Sequence, residues 1–190
     1  MIGVMFFPEN LRKLKRGPQV MLPKDIGMIV GFTGVGKKSV VVDAGAGSGW
    51  LAISLGNICK KVTSYERRED FAKLAESNVK RAGLKNVKIK NKDIFKGIRE
   101  KEVDLVTLDM ANSDEVVPHA YNALKKGGRI VGYLPHVEQV KRFVKALNDS
   151  GFNDVFTTEC IVREMLVREA GVRPDTKGLW HTAYLVFAKK

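Results

Sequence analysis

Cysteine is scarce in this chain. There are two among 190 residues, Cys59 and Cys160, and they form no C-x-x-C pattern. Neither a zinc site nor a disulfide framework is indicated, and the reading is buried free thiols in a reducing cytoplasm. The three histidines, His119, His136 and His181, show no metal-ligand spacing, so no metal chemistry is expected. No apolar run is long enough to span a bilayer, and no membrane partner is expected. The apolar start at residues 1–7 is short, has no basic stretch before it and runs into Pro8, which makes a poor signal peptide. Internal repeats, low-complexity tracts and interdomain linkers are also missing, so a chain of this length is expected to form one domain. Acids are outnumbered: 21 Asp and Glu against 33 Lys and Arg give a net charge of +12 and an isoelectric point near 9.7. Such an excess favours polyanionic partners, nucleic acid first, over a basic face that merely solvates the protein.

What is present centres on Val40-Val41-Val42-Asp43-Ala44-Gly45-Ala46-Gly47-Ser48-Gly49-Trp50. A β-branched run feeds a loop with glycine at every second position, and residues 51–55 begin a helix. Strand, glycine-rich turn and helix together make a site for a nucleoside-containing ligand, because the backbone approaches closely and helix N–H groups face it. A purely structural strand–helix turn is the plainer alternative. The glycine spacing is tighter than the dinucleotide pattern G-x-G-x-x-G, and the carboxylate of Asp43 would repel a pyrophosphate but tolerate a cationic cofactor. A second strand, residues 61–66, ends in Glu66, about where an acid takes a ribose hydroxyl pair in such folds. Glu66 also reads as an acid at the start of the helix that follows. The segment from Gly31 to Lys38 imitates a P-loop but has Lys38 where a magnesium-binding hydroxyl belongs, and it precedes a strand instead of following one, so ATP hydrolysis is not expected.

The rest of the chain alternates strand and helix. Pro23-Lys24-Asp25 opens a short helix. Residues 67–82 form a helix stopped by Gly83, 87–90 a strand, 103–109 a strand, 116–124 a helix, 129–134 a strand after the turn Lys126-Gly127-Gly128, and 137–147 an amphipathic helix. Residues 153–162 and 182–188 are the last two strands, joined by a polar stretch over 163–177. Repeated alternation predicts an α/β fold, a mostly parallel sheet with helices on both faces and an antiparallel hairpin at one edge. Asp43, Glu66, Asp93 and Asp109 then all fall at carboxyl ends of strands, the ligand-binding edge of such sheets.

This order of motifs resembles class I S-adenosylmethionine-dependent methyltransferases, and so implies a Rossmann-like fold with a seven-stranded sheet. By that resemblance the loop holding Asp43, Gly45, Ala46, Gly47, Ser48 and Gly49 takes the methionine end of S-adenosyl-L-methionine. Glu66 with Arg67 takes the ribose, Asp93 and Ile94 take the adenine, and Gln19 and Asp109 complete the cofactor site. Within the class, four stretches are similar to the tRNA (adenine-58-N1)-methyltransferases, including the archaeal enzymes acting at positions 57 and 58: Gln19 to Asp25, Ser64 to Phe71, Tyr133 to Val140, and Arg173-Pro174 with His181 to Ala188. The resemblance implies a methyltransferase domain over residues 23–190 behind a short basic arm over 1–22. It also implies a tRNA partner, a homotetramer and a cytoplasmic location.

Three departures stand out. The family's small β-rich N-terminal domain is here reduced to about 20 residues, Asp109-Met110-Ala111-Asn112 replaces Asp-x-Pro, and Trp180-His181 replaces Gly-His. In the mechanism the resemblance implies, methyl transfer is an in-line displacement governed by positioning. Asp109 is the catalytic candidate, a carboxylate offsetting charge on the methylated adenine; a strand-end acid capping the next helix is the plainer alternative. Tyr133, Trp180 and His181 are candidates for lining the base pocket, and Arg163, Arg168 and Arg173 for gripping phosphate, against core and solvated readings of the same residues. Two other functions remain open: a class I methyltransferase acting on a small molecule such as a corrinoid precursor, or on a protein, and a non-catalytic RNA-binding or partner subunit with the same fold.

Overall fold

The computed structural model describes residues 7–17 and 19–190. Seven strands form one sheet in the order β3-β2-β1-β4-β5-β9-β6. They are β1 (Val40–Ala44), β2 (Lys61–Glu66), β3 (Val87–Asn91), β4 (Val103–Leu108), β5 (Leu124–Leu134), β6 (Asn153–Glu159) and β9 (Tyr184–Lys189). β1 to β5 pair in parallel, while β9 is antiparallel to both β5 and β6. The chain steps outward from β1 to β3 and then crosses back to β4, so the strand order reverses between β1 and β4. That reversal opens a crevice at the carboxyl ends of the two strands, where α/β sheets bind ligands.

Period-two alternation assigns each strand's residues to one of two cores. Val41, Val62, Leu105 and Val131 join one apolar cluster, while Val42, Val106 and Ile130 join the other on the opposite face. On the first face lie α2 (Pro23–Thr33), α3 (Trp50–Gly56) and α4 (Glu69–Arg81). Pro23 is in the first turn of α2, where its missing N–H costs nothing. On the second lie α5 (Val117–Ala123) and α6 (Val137–Asp149). Phe143 of α6 is fully buried, and its ring would lie 2.7 Å from any Cβ at position 132. Glycine at 132 is what lets α6 sit this close to β5.

Several boundaries differ from the sequence reading. The turn expected at Lys126-Gly127-Gly128 lies inside β5, as an irregularity between the pairs Val103↔Leu124 and Leu105↔Arg129. The helix expected over 116–124 starts as a 3-10 turn at Ser113–Val116 and ends at Ala123. The strand expected over 153–162 stops at Glu159, and the polar stretch after it contains an antiparallel ribbon, β7 (Met165–Arg168) and β8 (Gly171–Pro174). The expected basic arm lies against the domain where it is described. Leu11, Leu14, Met21 and Leu22 are buried, because the short helix α1 (Glu9–Arg12) and the residues after it pack on the first core. Asn78 of α4 fastens this segment, accepting from the Lys15 N–H at 2.9 Å and donating to the Lys15 carbonyl at 2.8 Å. Residues 1–6 and 18 of the expected arm lie outside the described residues. The P-loop imitation is instead the end of α2, capped by left-handed Gly34, and the turn into β1. Among the described residues no helix is long and apolar enough to cross a membrane.

Candidate active site

A cavity of about 440 Å³ opens at the carboxyl ends of β1, β2 and β4. Gln19, Gly45, Gly47, Glu66, Arg67, Asp93, Ile94, Asp109 and Tyr133 are on its wall. A smaller cavity of about 40 Å³ shares Gln19, Gly45, Gly47 and Asp109 with it and adds Asp43, Ala46, Ser48 and Trp50. Of the residues expected at the cofactor, only Gly49 is on neither wall. Its place is structural: with φ of +82° it caps the start of α3.

The loop is shaped by its glycines and by Glu66. Gly45 has φ of +86°, and a Cβ there would fall 1.9 Å from the carbonyl oxygen of Asp109. Only glycine lets the loop pass so close to the end of β4. The N–H groups of Gly45 and Ala46 both donate to the Tyr65 carbonyl, at 3.0 and 3.2 Å. Glu66, almost fully buried, accepts from the Gly47 N–H at 3.0 Å, from the Arg68 N–H at 3.1 Å and from Arg68 Nε at 3.3 Å. An ionised carboxylate offers about four acceptor positions, so Glu66 braces the loop and keeps capacity for a ligand hydroxyl. At the far wall Asp93 accepts from the Phe95 N–H at 3.1 Å, capping the short turn Ile94–Lys96.

Asp43 lies beneath the loop. Parallel register puts it level with Ser64 on β2 and Thr107 on β4, and both hydroxyls donate to its carboxylate, at 2.5 and 2.7 Å. Burial nonetheless pushes its pKa up, the two hydroxyls opposing. Asp109 follows β4 and is anchored by its N–H donating to the Ala44 carbonyl at 2.9 Å. Its carboxylate differs from the others in having no donor among the described residues. Burial, then the charges of Asp43, Asp25 and Glu66, push its pKa up to about 7.

Sequence reasoning missed Asp25. It is fully buried, accepts from Lys24 Nζ at 2.7 Å and from the Thr182 hydroxyl at 3.0 Å, and takes the Tyr133 hydroxyl at 3.3 Å. Lys24 also donates to the Cys160 carbonyl at 2.6 Å and to Thr182 at 2.7 Å. This network ties the start of α2 to the segments flanking β7 and β8, and it holds Tyr133 at the cavity. Burial first, then Asp25, raises the Tyr133 hydroxyl's pKa. The only local signal for Asp25 was an acid in a helix's first turn, which usually means a solvated one. Arg68 was missed too: its guanidinium lies 3.7 Å from the centre of the Phe71 ring, and both side chains are on the cavity wall.

Trp180 and His181, expected to line the base pocket, are on the wall of neither cavity. The histidine is held outside, with Nδ1 2.6 Å from Glu159 and Nε2 3.0 Å from the Pro135 carbonyl, and the Glu159 carboxylate raises its pKa. Trp180 is exposed, with the Arg163 guanidinium 5.5 Å from its ring. Arg168 and Arg173 are exposed on β7 and β8. Among the described residues no group of three or more His, Cys, Asp and Glu is arranged to hold a metal ion.

The reversed-order sheet, the glycine loop braced by a strand-end acid and the acid-floored crevice define a Rossmann-like class I methyltransferase. The chain belongs to the family described as tRNA methyltransferase complex GCD14 subunit, which matches residues 11–176. It is 39% identical to the tRNA (adenine(57)-N(1)/adenine(58)-N(1))-methyltransferase TrmI of Methanocaldococcus jannaschii, over 95% of this chain and 75% of that protein. Among solved structures it is similar to a SAM-dependent O-methyltransferase from Thermotoga maritima, with a TM-score of 0.90 and 35% identity over 96% of this chain and 70% of that one. It is also similar to the tRNA (m1A58) methyltransferase TrmI from Aquifex aeolicus, with a TM-score of 0.88 and 27% identity over 95% and 74%.

Proposed function

We propose that this protein transfers a methyl group from S-adenosyl-L-methionine to N1 of an adenine in the T-loop region of tRNA. The observation that carries the reading is Asp109, a carboxylate on the walls of both cavities with no donor among the described residues. The cavities suit the cofactor chemically. Glycines admit the ligand to the backbone, Glu66 has an acceptor position left for a ribose hydroxyl, and the acids beneath favour a cation. When bound, the cofactor supplies an electrophilic methyl on a positively charged sulfur.

The chain's own contribution is positioning and electrostatics. Adenine N1 attacks with an in-plane lone pair, so no covalent enzyme intermediate is needed. Methylation leaves positive charge on the base. Asp109 accepts from the exocyclic amino group beside N1, and its negative charge offsets the charge that develops. Tyr133, fixed through Asp25, limits how the base lies. The exposed cations Arg67, Arg68 and Lys92 rim the larger cavity and, with the net charge of +12, supply phosphate contacts. The arginines at 163, 168 and 173, with Trp180 and His181, are read as RNA contacts outside the cavity.

The protein works as a homo-oligomer, a tetramer by family resemblance, in the cytoplasm. Exposed apolar side chains crowded between residues 161 and 180, among them Val167, Val172 and Trp180, support an assembly. The alternative is an acceptor of another class, a small molecule or a protein. Label transfer from the cofactor to unmodified tRNA tests the choice: incorporation is expected, and none, with cofactor binding intact, returns the small-molecule reading.

A further inference from the structure

The basic excess is concentrated at one edge of the sheet. β3 ends the strand order, and the turn Ile94–Lys96 with the residues after it continues that edge. Lys85, Lys88, Lys92, Lys96 and Arg99 are all exposed along it. Among the described residues none of the five is in an ion pair. The two acids between residues 85 and 100 are occupied and offer no screen. Asp93 caps the turn by accepting from the Phe95 N–H. Glu100 accepts from Lys90 Nζ at 2.5 Å and from the Tyr65 hydroxyl at 2.6 Å. That triad, with Ile94 and Ile98 in the second core, pegs the segment down and leaves the remaining cations outside.

The edge starts at the active site: Lys92, Asp93, Ile94 and Phe95 are on the wall of the larger cavity. From Lys92 back to Lys85 the extended chain covers roughly 20 Å. Lysine on an edge strand also discourages pairing with another chain. That accounts for Lys88, but Lys96 and Arg99 lie beyond the strand, where there is no edge to protect. A line of unpaired cations suits a chain of phosphates better than a compact anion.

We propose that the β3 edge is a track for the RNA backbone, carrying the phosphates beside the target nucleotide away from the crevice over Lys92, Lys96, Arg99, Lys88 and Lys85. The inference rests on the tRNA reading above and adds the path the RNA takes. The β7–β8 ribbon leaves the sheet between β6 and β9, at its other edge, so the RNA is gripped on both sides of the target base.

Salt titration of tRNA binding tests the track. One variant carries Lys85→Gln, Lys88→Gln, Lys96→Gln and Arg99→Gln. A control loses the same charge elsewhere, through Lys37→Gln, Lys38→Gln, Lys126→Gln and Lys141→Gln, four exposed positions off this edge. Each phosphate contact contributes about 0.7–0.9 to the slope of log affinity against log salt. The edge variant's slope should be shallower than wild type by about 3, and the control's should stay near wild type. S-adenosylhomocysteine should bind both variants as it binds wild type, which shows that the fold is intact. Equal losses of slope in the two variants mean that only overall charge matters, and overturn the track. An unchanged slope in the edge variant overturns it too, and loss of binding to anionic lipid vesicles in that case assigns the edge to a membrane surface. Wild-type protein that binds S-adenosylhomocysteine but no tRNA overturns the tRNA reading itself.

Discussion

Replacing Asp109 with asparagine should make the protein more stable at neutral pH while stopping its chemistry. In the folded chain Asp109 holds its proton up to about pH 7, against 3.8 as the ordinary value. The sign follows from linkage. Below the ordinary value the acid is protonated in both states and costs nothing. Between the two values only the unfolded chain releases the proton, so stability falls as pH rises. Above about 7 the loss is complete, at an upper limit of about 4 kcal/mol for a shift of this size. From about pH 5 to about pH 8 the change is roughly 2–3 kcal/mol, and water entering through the cavity screens part of it, leaving about 1 kcal/mol or more. Asparagine does not titrate. Urea unfolding of both proteins across that range should therefore show the variant's advantage growing with pH. Parallel stability curves would falsify the picture of a crowded acid without donors. The same carboxylate links cofactor binding to protons: a cationic ligand should bind more tightly as pH rises through about 7 and release protons below it, as read by calorimetry in two buffers.

Glu66→Ala should weaken cofactor binding by about 1.5–3 kcal/mol, and because Glu66 also holds the Gly47 N–H, hydrogen exchange at that amide should quicken; unchanged calorimetric affinity removes Glu66 from the site. Gly45→Ala must accommodate a Cβ 1.9 Å from a carbonyl oxygen at a φ of +86°. A loss of about 3 kcal/mol or more in denaturant stability is expected, and a midpoint equal to wild type would mean the loop is not held against β4. Light scattering should report an assembly larger than the 21.1 kDa chain; a monomer at micromolar concentration removes the tetramer.

The sheet and its binding edge were legible because both are written locally. Val40 to Val42 mark a buried strand, glycines punctuate the turn after it, and Glu66 and Asp109 fall where strands end. What was not legible depends on distance along the chain. Asp25 looks like any acid starting a helix, and its bonds to Tyr133 and to Thr182, 108 and 157 residues away, make it part of a buried network. Asp43 reads as a ligand for a cation, but its position beneath the loop follows from register with Ser64 and Thr107. The ribbon of β7 and β8 reads as a polar connection because charged residues interrupt its short apolar runs, such as Met165 to Val167 between Glu164 and Arg168. Trp180 and His181 read as candidates for the pocket because they precede a strand beside it, and sequence does not show to which side such a segment turns. The turn expected at Gly127-Gly128 proved to be a strand irregularity, since glycine pairs serve both.

The most direct test of the account is to identify the methylated nucleoside and ask whether it depends on Asp109. Unmodified tRNA incubated with labelled cofactor and the wild-type protein, then digested for mass spectrometry, should carry the label in 1-methyladenosine. Asp109→Ala should lose that signal far more than it weakens cofactor or tRNA binding, because its interaction with the base grows as charge develops there. Label in another nucleoside, or 1-methyladenosine formed at an undiminished rate by Asp109→Ala, would contradict the account.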